Sequence, residues 1–122
     1  MQGFRRLNVW QKAHELALEV YRVTARFPKE ELYALTSQLK RAASSIGANI
    51  AEGCGRGSDA DFSRFLLFAM GSASELEYHL LLARDLKFLS EEDHLHLANL
   101  TTEVKRMLVG LIQRTRGRAA AG

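Results

Sequence analysis

Apolar residues recur every three or four positions along most of this chain, and no other feature constrains the fold as strongly. This is the spacing of an amphipathic helix, whereas a half-buried strand alternates at every second residue. The chain's one proline, Pro28, and the glycine-rich run 53–57 interrupt the pattern. These interruptions and the flanking polar residues predict four helices, which cover about residues 8–27, 30–52, 59–88 and 90–116.

Helix-capping residues support these boundaries. Asn8 stands three residues before Gln11, and Ser58 stands three residues before Asp61, as in capping boxes. Ser90 precedes three acidic residues, which suit the positive end of a helix dipole. Because short connections force sequential helices to run in opposite directions, the predicted fold class is all-α, an antiparallel up-down-up-down four-helix bundle.

The length of 122 residues is that of one domain. A chain of this size buries roughly two-thirds of its unfolded surface, so one core suffices without disulfides or a structural metal. The composition, 47% hydrophobic and 25% charged, is typical of globular domains and excludes disordered and fibrous classes. We predict a single four-helix bundle domain over residues 1–116 and a flexible tail over residues 117–122.

Three features of the sequence predict a cytoplasmic protein that does not enter a membrane. The single Cys54 cannot form an internal disulfide. Residues 1–6 include two arginines but are not followed by the apolar segment of a signal peptide. The longest continuous apolar stretch, residues 65–70, is six residues long, whereas a membrane-spanning helix needs about 20.

The third predicted helix is apolar around its whole circumference, because residues 65–70 are all apolar and successive side chains are 100° apart. One interpretation is an unusually buried helix in a small core. The favoured interpretation is a subunit interface, since every helix of a four-helix bundle keeps an outward face and large apolar patches mark association. Leu67 and Phe68 are the residues predicted to lie on this homo-oligomer interface.

A polar motif accompanies the second and third helices. It consists of Arg41, Asn49, Glu52 and Glu75. Asn49, Glu52 and Glu75 stand among apolar neighbours, so a hydrogen-bonded structural network competes with a solvated helix face as their interpretation. We predict that Asn49 and Glu52 have structural roles. Catalysis by these carboxylates is the least favoured interpretation.

Residue patterns for catalysis, metals and cofactors are absent from the sequence. Di-iron bundles need a Glu-x-x-His motif on each of two helices, and only Glu91 and His94 have that spacing. No group of cysteines and histidines has zinc-ligand spacing, and Cys54 has no histidine near it in sequence. We therefore expect no catalytic residue, no metal and no cofactor, and a protein that is not an enzyme.

The bundle topology would gather arginines at one end. The start of the first helix, the turn after the second helix and the end of the fourth helix all lie there. The arginines in these segments are Arg5, Arg6, Arg56, Arg114, Arg116 and Arg118. Such an arginine-rich end suits contacts with phosphate groups, although terminal arginines also serve solubility and the net charge is only +3.

Residues 42–56, with the sequence AASSIGANIAEGCGR, resemble the signature of a bacterial four-helix-bundle family encoded within intervening sequences of the 23S ribosomal RNA gene. The resemblance extends through residues 7–10, 27–28 and 62–66 and covers nearly the whole chain. It implies a homopentamer with no known enzymatic activity and a largely undefined cellular role. Gly47 departs from the family pattern, in which proline is common at this position.

Two functional hypotheses follow. In the first, the protein is a non-enzymatic oligomeric bundle that binds RNA or DNA through the arginine-rich end. A related branch of the family, the accessory protein of diversity-generating retroelements, is a basic pentamer that binds nucleic acid and works with a reverse transcriptase, so the resemblance implies such a protein partner. In the second hypothesis, the protein is a protein-protein adaptor or scaffold with no nucleic-acid binding.

Overall fold

A computed structural model of the chain describes residues 3–121, and the fold in this range is built from helices without any strand. Four α-helices follow one another: α1 (Asn8–Thr24), α2 (Leu35–Cys54), α3 (Asp59–Asp85) and α4 (Glu91–Ala121). Two short 3₁₀ turns, Phe4–Arg6 and Lys29–Glu31, precede α1 and α2. The all-α prediction is therefore confirmed.

Ion pairs between helices show that neighbouring helices run in opposite directions. Arg26, just after α1, bonds Asp93 at the start of α4, with Nη2 and Oδ2 2.9 Å apart. Arg118, near the end of α4, lies 3.5 Å from Asp59 at the start of α3. Each helix packs against the next, and α4 returns against α1 to close the bundle. This confirms the antiparallel up-down-up-down arrangement.

The core contains the apolar stripe of each helix. Leu16 of α1, Leu39 of α2, Leu66 of α3 and Leu97 of α4 are fully buried. Burying one such side chain contributes roughly 1.5–3 kcal/mol, so the stripes are the main source of stability. Within residues 3–121, no helix combines the length and the apolar character that crossing a membrane requires.

The helix starts confirm two of the three predicted caps. Ser58 Oγ accepts a hydrogen bond from the Asp61 amide at 3.1 Å, and Ser90 Oγ accepts one from the Asp93 amide at 3.0 Å. The prediction at α1 is wrong, because the 3₁₀ turn leads the chain into the helix and Asn8 is already helical. Gln11 instead donates through Nε2 to the Arg5 carbonyl oxygen at 2.8 Å.

The connection between α1 and α2 is longer than predicted. The helix α1 ends at Thr24 instead of Phe27, and α2 begins at Leu35 instead of residue 30. Between them, Pro28 is followed by the 3₁₀ turn, and Ala34 has a non-helical backbone with φ −122° and ψ −107°. The acidic residues 30 and 31 therefore lie within the 3₁₀ turn and do not belong to the long helix.

The ends of α3 and α4 also differ from the prediction. Helix α3 stops at Asp85 because Lys87 adopts a left-handed conformation with φ 68°. Helix α4 extends to Ala121, so residues 117–121 of the expected tail are helical, and the flexibility of this segment stays a prediction. Met1 and Gln2 of the predicted domain and Gly122 of the predicted tail lie outside the described residues.

Candidate functional site

The antiparallel bundle brings the start of α1, the α2–α3 turn and the end of α4 to the same end, which we call the arginine end. All six arginines predicted to lie there are exposed. Arg118 reaches the first residue of α3, and Arg6 and Arg114 line one cavity between α1 and α4. The structure therefore brings these segments together, but the two sides of the arginine end differ in how their charges are compensated.

On the α2–α3 side, carboxylates accompany the arginines. Arg56 lies 3.9 Å from a Glu52 oxygen and 3.8 Å from an Asp61 oxygen. Arg118 Nε lies 3.5 Å from Asp59 Oδ2. Exposed pairs of this kind contribute at most about 1 kcal/mol to stability, but the acids offset the positive charge. This side of the arginine end is therefore partly neutralised.

On the α1–α4 side, three arginines line one open cavity of about 420 Å³. These residues, Arg6, Arg106 and Arg114, are called the α1–α4 arginines. Within residues 3–121, none of them has a carboxylate oxygen within 4 Å. Glu103, the acidic residue nearest to them along α4, instead lies 3.5 Å from Lys12. These three arginines therefore lack the contacting carboxylates that Arg56 and Arg118 have.

The pair between Lys12 and Glu103 bridges α1 and α4 below the cavity. Two nearby carboxylates raise the pKa of the Lys12 ammonium above its ordinary value, and Glu103 has a larger effect than Glu15. Glu103 thus pairs with a lysine of α1 and not with one of the α1–α4 arginines.

Arg106 is the functional candidate that the sequence reasoning missed. It lies in the middle of α4, well before the arginines at the end of that helix, so its position in the chain gave no sign of belonging to the arginine end. Helix α4 is 31 residues long and extends beyond the start of α1, which brings Arg106 beside the 3₁₀ turn that carries Arg6. The available signal was the spacing along α4. Arg106 stands four residues before Gly110 and eight before Arg114, and residues at such spacings share a helix face.

Arg5 and Arg116 complete the predicted set. The Arg5 guanidinium lies over the Phe4 ring, 5.2 Å from its centroid, and its side chain is exposed. Arg116 is exposed on α4 and is absent from the lining of the cavity. Both residues add positive charge near the cavity without contributing to its wall.

The predicted polar motif separates into two parts. Arg41 donates through Nη2 to Glu75 Oε2 at 2.8 Å and so links α2 to α3. Asn49 donates through Nδ2 to the Ser45 hydroxyl at 3.0 Å, and Ser45 Oγ is 2.9 Å from Ser72 Oγ across the same helix pair. Glu52 lies outside this network, because its side chain is 56% exposed and, among residues 3–121, pairs with Arg56 alone.

The outward face of α3 carries exposed apolar side chains, which we call the α3 ridge. It consists of Leu67, Phe68, Tyr78 and Leu81, and the first three are 42%, 48% and 58% exposed. Phe65 and Leu66 beside them are buried in the bundle, which explains why the helix is apolar around its circumference. The structure places Leu67 and Phe68 on an available surface, and their role as an interface stays a prediction.

A shallow apolar groove runs between α1 and α2 on another side of the bundle. Its volume is about 410 Å³, and its floor on α2 is made of small residues such as Ala43, Gly47 and Ala48. Trp10 lines the groove and stacks on His14 with ring centroids 4.9 Å apart. A Cβ atom at Gly47 would lie 3.3 Å from Trp10 Nε1, so this glycine lets the indole pack closely against α2. We call this surface the α1–α2 groove.

The residues that carry metal or nucleophilic chemistry in other proteins are dispersed here. Across residues 3–121, no three His, Cys, Asp or Glu side chains come together as a metal-binding group. Cys54 is half-buried, and burial raises the pKa of its thiol above the ordinary value, which disfavours the reactive thiolate. Glu91 and His94 lie in the first turn of α4.

These features define the chain as a small antiparallel four-helix bundle with one arginine-rich end. The chain belongs to the 23S rRNA-intervening sequence protein family, whose family model matches residues 5–110. The match confirms the resemblance that residues 42–56 indicated.

A solved structure supports the same assignment. The chain is similar to a protein of unknown function from the S23 ribosomal protein family of Bacteroides thetaiotaomicron VPI-5482, with a TM-score of 0.80 and 30% sequence identity. The similarity covers 86% of this chain and 95% of the Bacteroides chain. A comparison with curated proteins gave no match. The comparisons therefore establish the family and the fold.

Proposed function

We propose that the protein is a non-enzymatic homo-oligomer that binds RNA or DNA through the α1–α4 arginines. The observation that carries the proposal is that three exposed arginines line one cavity and have no carboxylate partner in the described residues. The guanidinium fork matches the oxygens of a phosphate, and phosphate contacts dominate nucleic-acid affinity. Such contacts carry no sequence information, so binding is expected to be weakly selective for sequence.

We further propose that the oligomer is a closed ring, a pentamer. A ring with more than two subunits uses two different, complementary surfaces on each subunit. The α3 ridge protrudes and the α1–α2 groove is concave with a floor of small residues, so the two surfaces suit such a contact. The number five follows from the family resemblance alone. In a ring, each copy would repeat the α1–α4 arginines.

Light scattering at micromolar protein concentration tests the oligomer. The expected mass is that of five chains. A clean monomer mass would overturn the oligomeric proposal, whereas a dimer or a tetramer would reject only the number five.

A titration of labelled structured RNA at about 50 mM and about 200 mM salt tests nucleic-acid binding. If several phosphates are contacted, affinity should fall by orders of magnitude between the two salt concentrations, because each contact releases counterions from the RNA. Absence of binding at about 50 mM salt would overturn this part of the proposal.

The second candidate function is a protein-protein adaptor without nucleic-acid binding. It is favoured by exposed apolar side chains at the end opposite the arginine end, where Leu32, Tyr33 and Leu86 are 47%, 92% and 49% exposed. The resemblance supplies a reverse transcriptase as the protein partner to test first. This candidate replaces nucleic-acid binding if RNA fails to bind while the oligomer persists.

A further inference from the structure

We infer that the cavity between the start of α1 and the second half of α4 is a subsite for one phosphate group of a nucleotide, held between Arg6, Arg106 and Arg114. This inference rests on the proposed function, because it names the chemical group that the proposed nucleic-acid surface binds. It goes further in one respect. A basic surface attracts many phosphates loosely, whereas here three arginines line the wall of a single cavity.

The arginines reach the cavity from two elements. Arg106 and Arg114 lie eight residues apart on one face of α4, and Arg6 comes from the 3₁₀ turn before α1. Gly110 lies between the two arginines of α4 and also lines the cavity. A Cβ atom at Gly110 would lie 3.4 Å from Arg114 Nη1, so the missing side chain lets this guanidinium lie back along the helix.

Three like charges around one cavity repel each other, and the described chain supplies no carboxylate within 4 Å to offset them. On the α2–α3 side, by contrast, the chain places acids beside Arg56 and Arg118. A bound phosphate would remove the repulsion and would accept charge-assisted hydrogen bonds from the guanidinium groups.

The size and lining of the cavity suit a nucleotide better than an isolated ion. Its volume of about 420 Å³ lies within the roughly 300–1,000 Å³ of small-molecule sites. Beside the arginines, the wall contains Leu7, Met107 and Leu111, which can contact the carbon atoms of a sugar. The first turn of α1 also borders the cavity and has neither an acidic residue nor a side-chain cap, so it adds no negative charge.

Single and double variants test whether the arginines share one phosphate. R106Q and R114Q should each weaken the binding of a labelled RNA hairpin about tenfold, because each removes a charged hydrogen bond. R116Q is the matched control, since it removes the same charge from an exposed position on the same helix outside the cavity. It should weaken binding less than about threefold.

The double variants give the sharper result. R106Q/R114Q should lose less affinity than the product of the two single losses, because both side chains contact the same phosphate. R106Q/R116Q should lose the product. The subsite is overturned if R116Q costs as much as R106Q, or if the losses in R106Q/R114Q simply multiply.

Two versions of the hairpin identify the source of the phosphate. If R106Q weakens binding only when the RNA carries a 5′-phosphate, the subsite holds a terminal phosphate. If the loss is the same with a 5′-hydroxyl, the subsite holds a backbone phosphodiester. Either result supports the subsite.

Failure of the subsite can be distinguished from failure of the proposed function. If the wild-type protein binds RNA but the variant pattern is absent, only the subsite is wrong. If the wild-type protein binds neither hairpin, the proposed function is wrong. The subsite is then tested by adding pyrophosphate to the protein and following the Nε–H resonances of the arginines in NMR spectra. Shifts confined to Arg6, Arg106 and Arg114 would support it, and equal shifts at Arg116 or no shifts would overturn it.

Discussion

The α2–α3 side and the α1–α4 side of this bundle contain similar types of residue in different arrangements. Between α2 and α3, small residues allow close packing, hydroxyl and ion-pair contacts cross the helices, and nearby arginines have acidic partners. Between α1 and α4, the arginine end opens into a cavity whose arginines lack such partners in the described chain. The two sides therefore differ in where their carboxylates lie and not in whether they carry arginines.

The close packing of the α2–α3 side depends on one glycine in particular. A Cβ atom at Gly53 would lie 2.9 Å from Phe65 Cβ and 3.0 Å from the Phe62 ring. The two phenylalanines are buried at the start of α3 and fix the approach of the two helices. The α1–α4 side has no equally close contact at Gly110, where the neighbour is the mobile end of an arginine side chain.

The largest effect on RNA binding is expected from splitting the oligomer, which would leave one set of α1–α4 arginines in each particle. Leu67→Glu or Phe68→Glu places a charge on the α3 ridge and should split the oligomer, because burying an unpaired charge is costly. With one binding surface per particle, RNA affinity should fall by about 100-fold or more. Leu95→Glu, at a position 61% exposed on α4, is the control and should leave the mass unchanged. A wild-type mass for both ridge variants would contradict the interface.

The next largest effect is expected on the stability of the protein when the packing between α2 and α3 is disturbed. Gly53→Ala should lower the free energy of unfolding by about 1–3 kcal/mol, because the new methyl group meets two packed phenylalanines. Gly117→Ala is the control, since nothing lies within 4 Å of its Cβ position, and it should be neutral or stabilising by up to about 1 kcal/mol. Denaturant unfolding at equal protein concentration measures both. Equal stabilities would show that the helices are not closely packed at Gly53.

Much of the fold could be predicted from the sequence, because apolar spacing and caps such as Ser58 are local signals that the tertiary structure reinforces. The candidate site could be predicted only in part. Arg114 was found from topology, but Arg106 depends on how far α4 extends past the start of α1. The pairing of Arg118 with Asp59 depends on the same register between helices, which no local pattern contains.

The polar motif gives a smaller test, and here the structure changes the expectation. The sequence predicted structural roles for both Asn49 and Glu52. Ser45→Ala removes the hydroxyl that joins Asn49 to Ser72 and should lower stability by about 1 kcal/mol. Glu52→Ala should change it by less than about 0.5 kcal/mol, because that side chain is on the surface. A larger loss for Glu52→Ala would restore the original prediction.

The smallest effect is expected when the α2–α3 side is made to resemble the α1–α4 side. The variant D59N/D61N removes the acids beside Arg118 and Arg56 and should raise RNA affinity about threefold, or roughly 0.6 kcal/mol. D85N/D93N changes the net charge equally at the opposite end and should have a smaller effect. If the two variants raise affinity equally, net charge and not the local pairing controls binding.

Two charge-matched triple variants test the central claim most directly, which is that the α1–α4 arginines form the nucleic-acid surface. R6Q/R106Q/R114Q removes these arginines, and R56Q/R116Q/R118Q removes three others from the same end. At about 50 mM salt, the first should lose more than about 100-fold in affinity for structured RNA and show a flatter salt dependence, while the second should lose less than about tenfold. Equal losses, or a larger loss in the second variant, would contradict the claim.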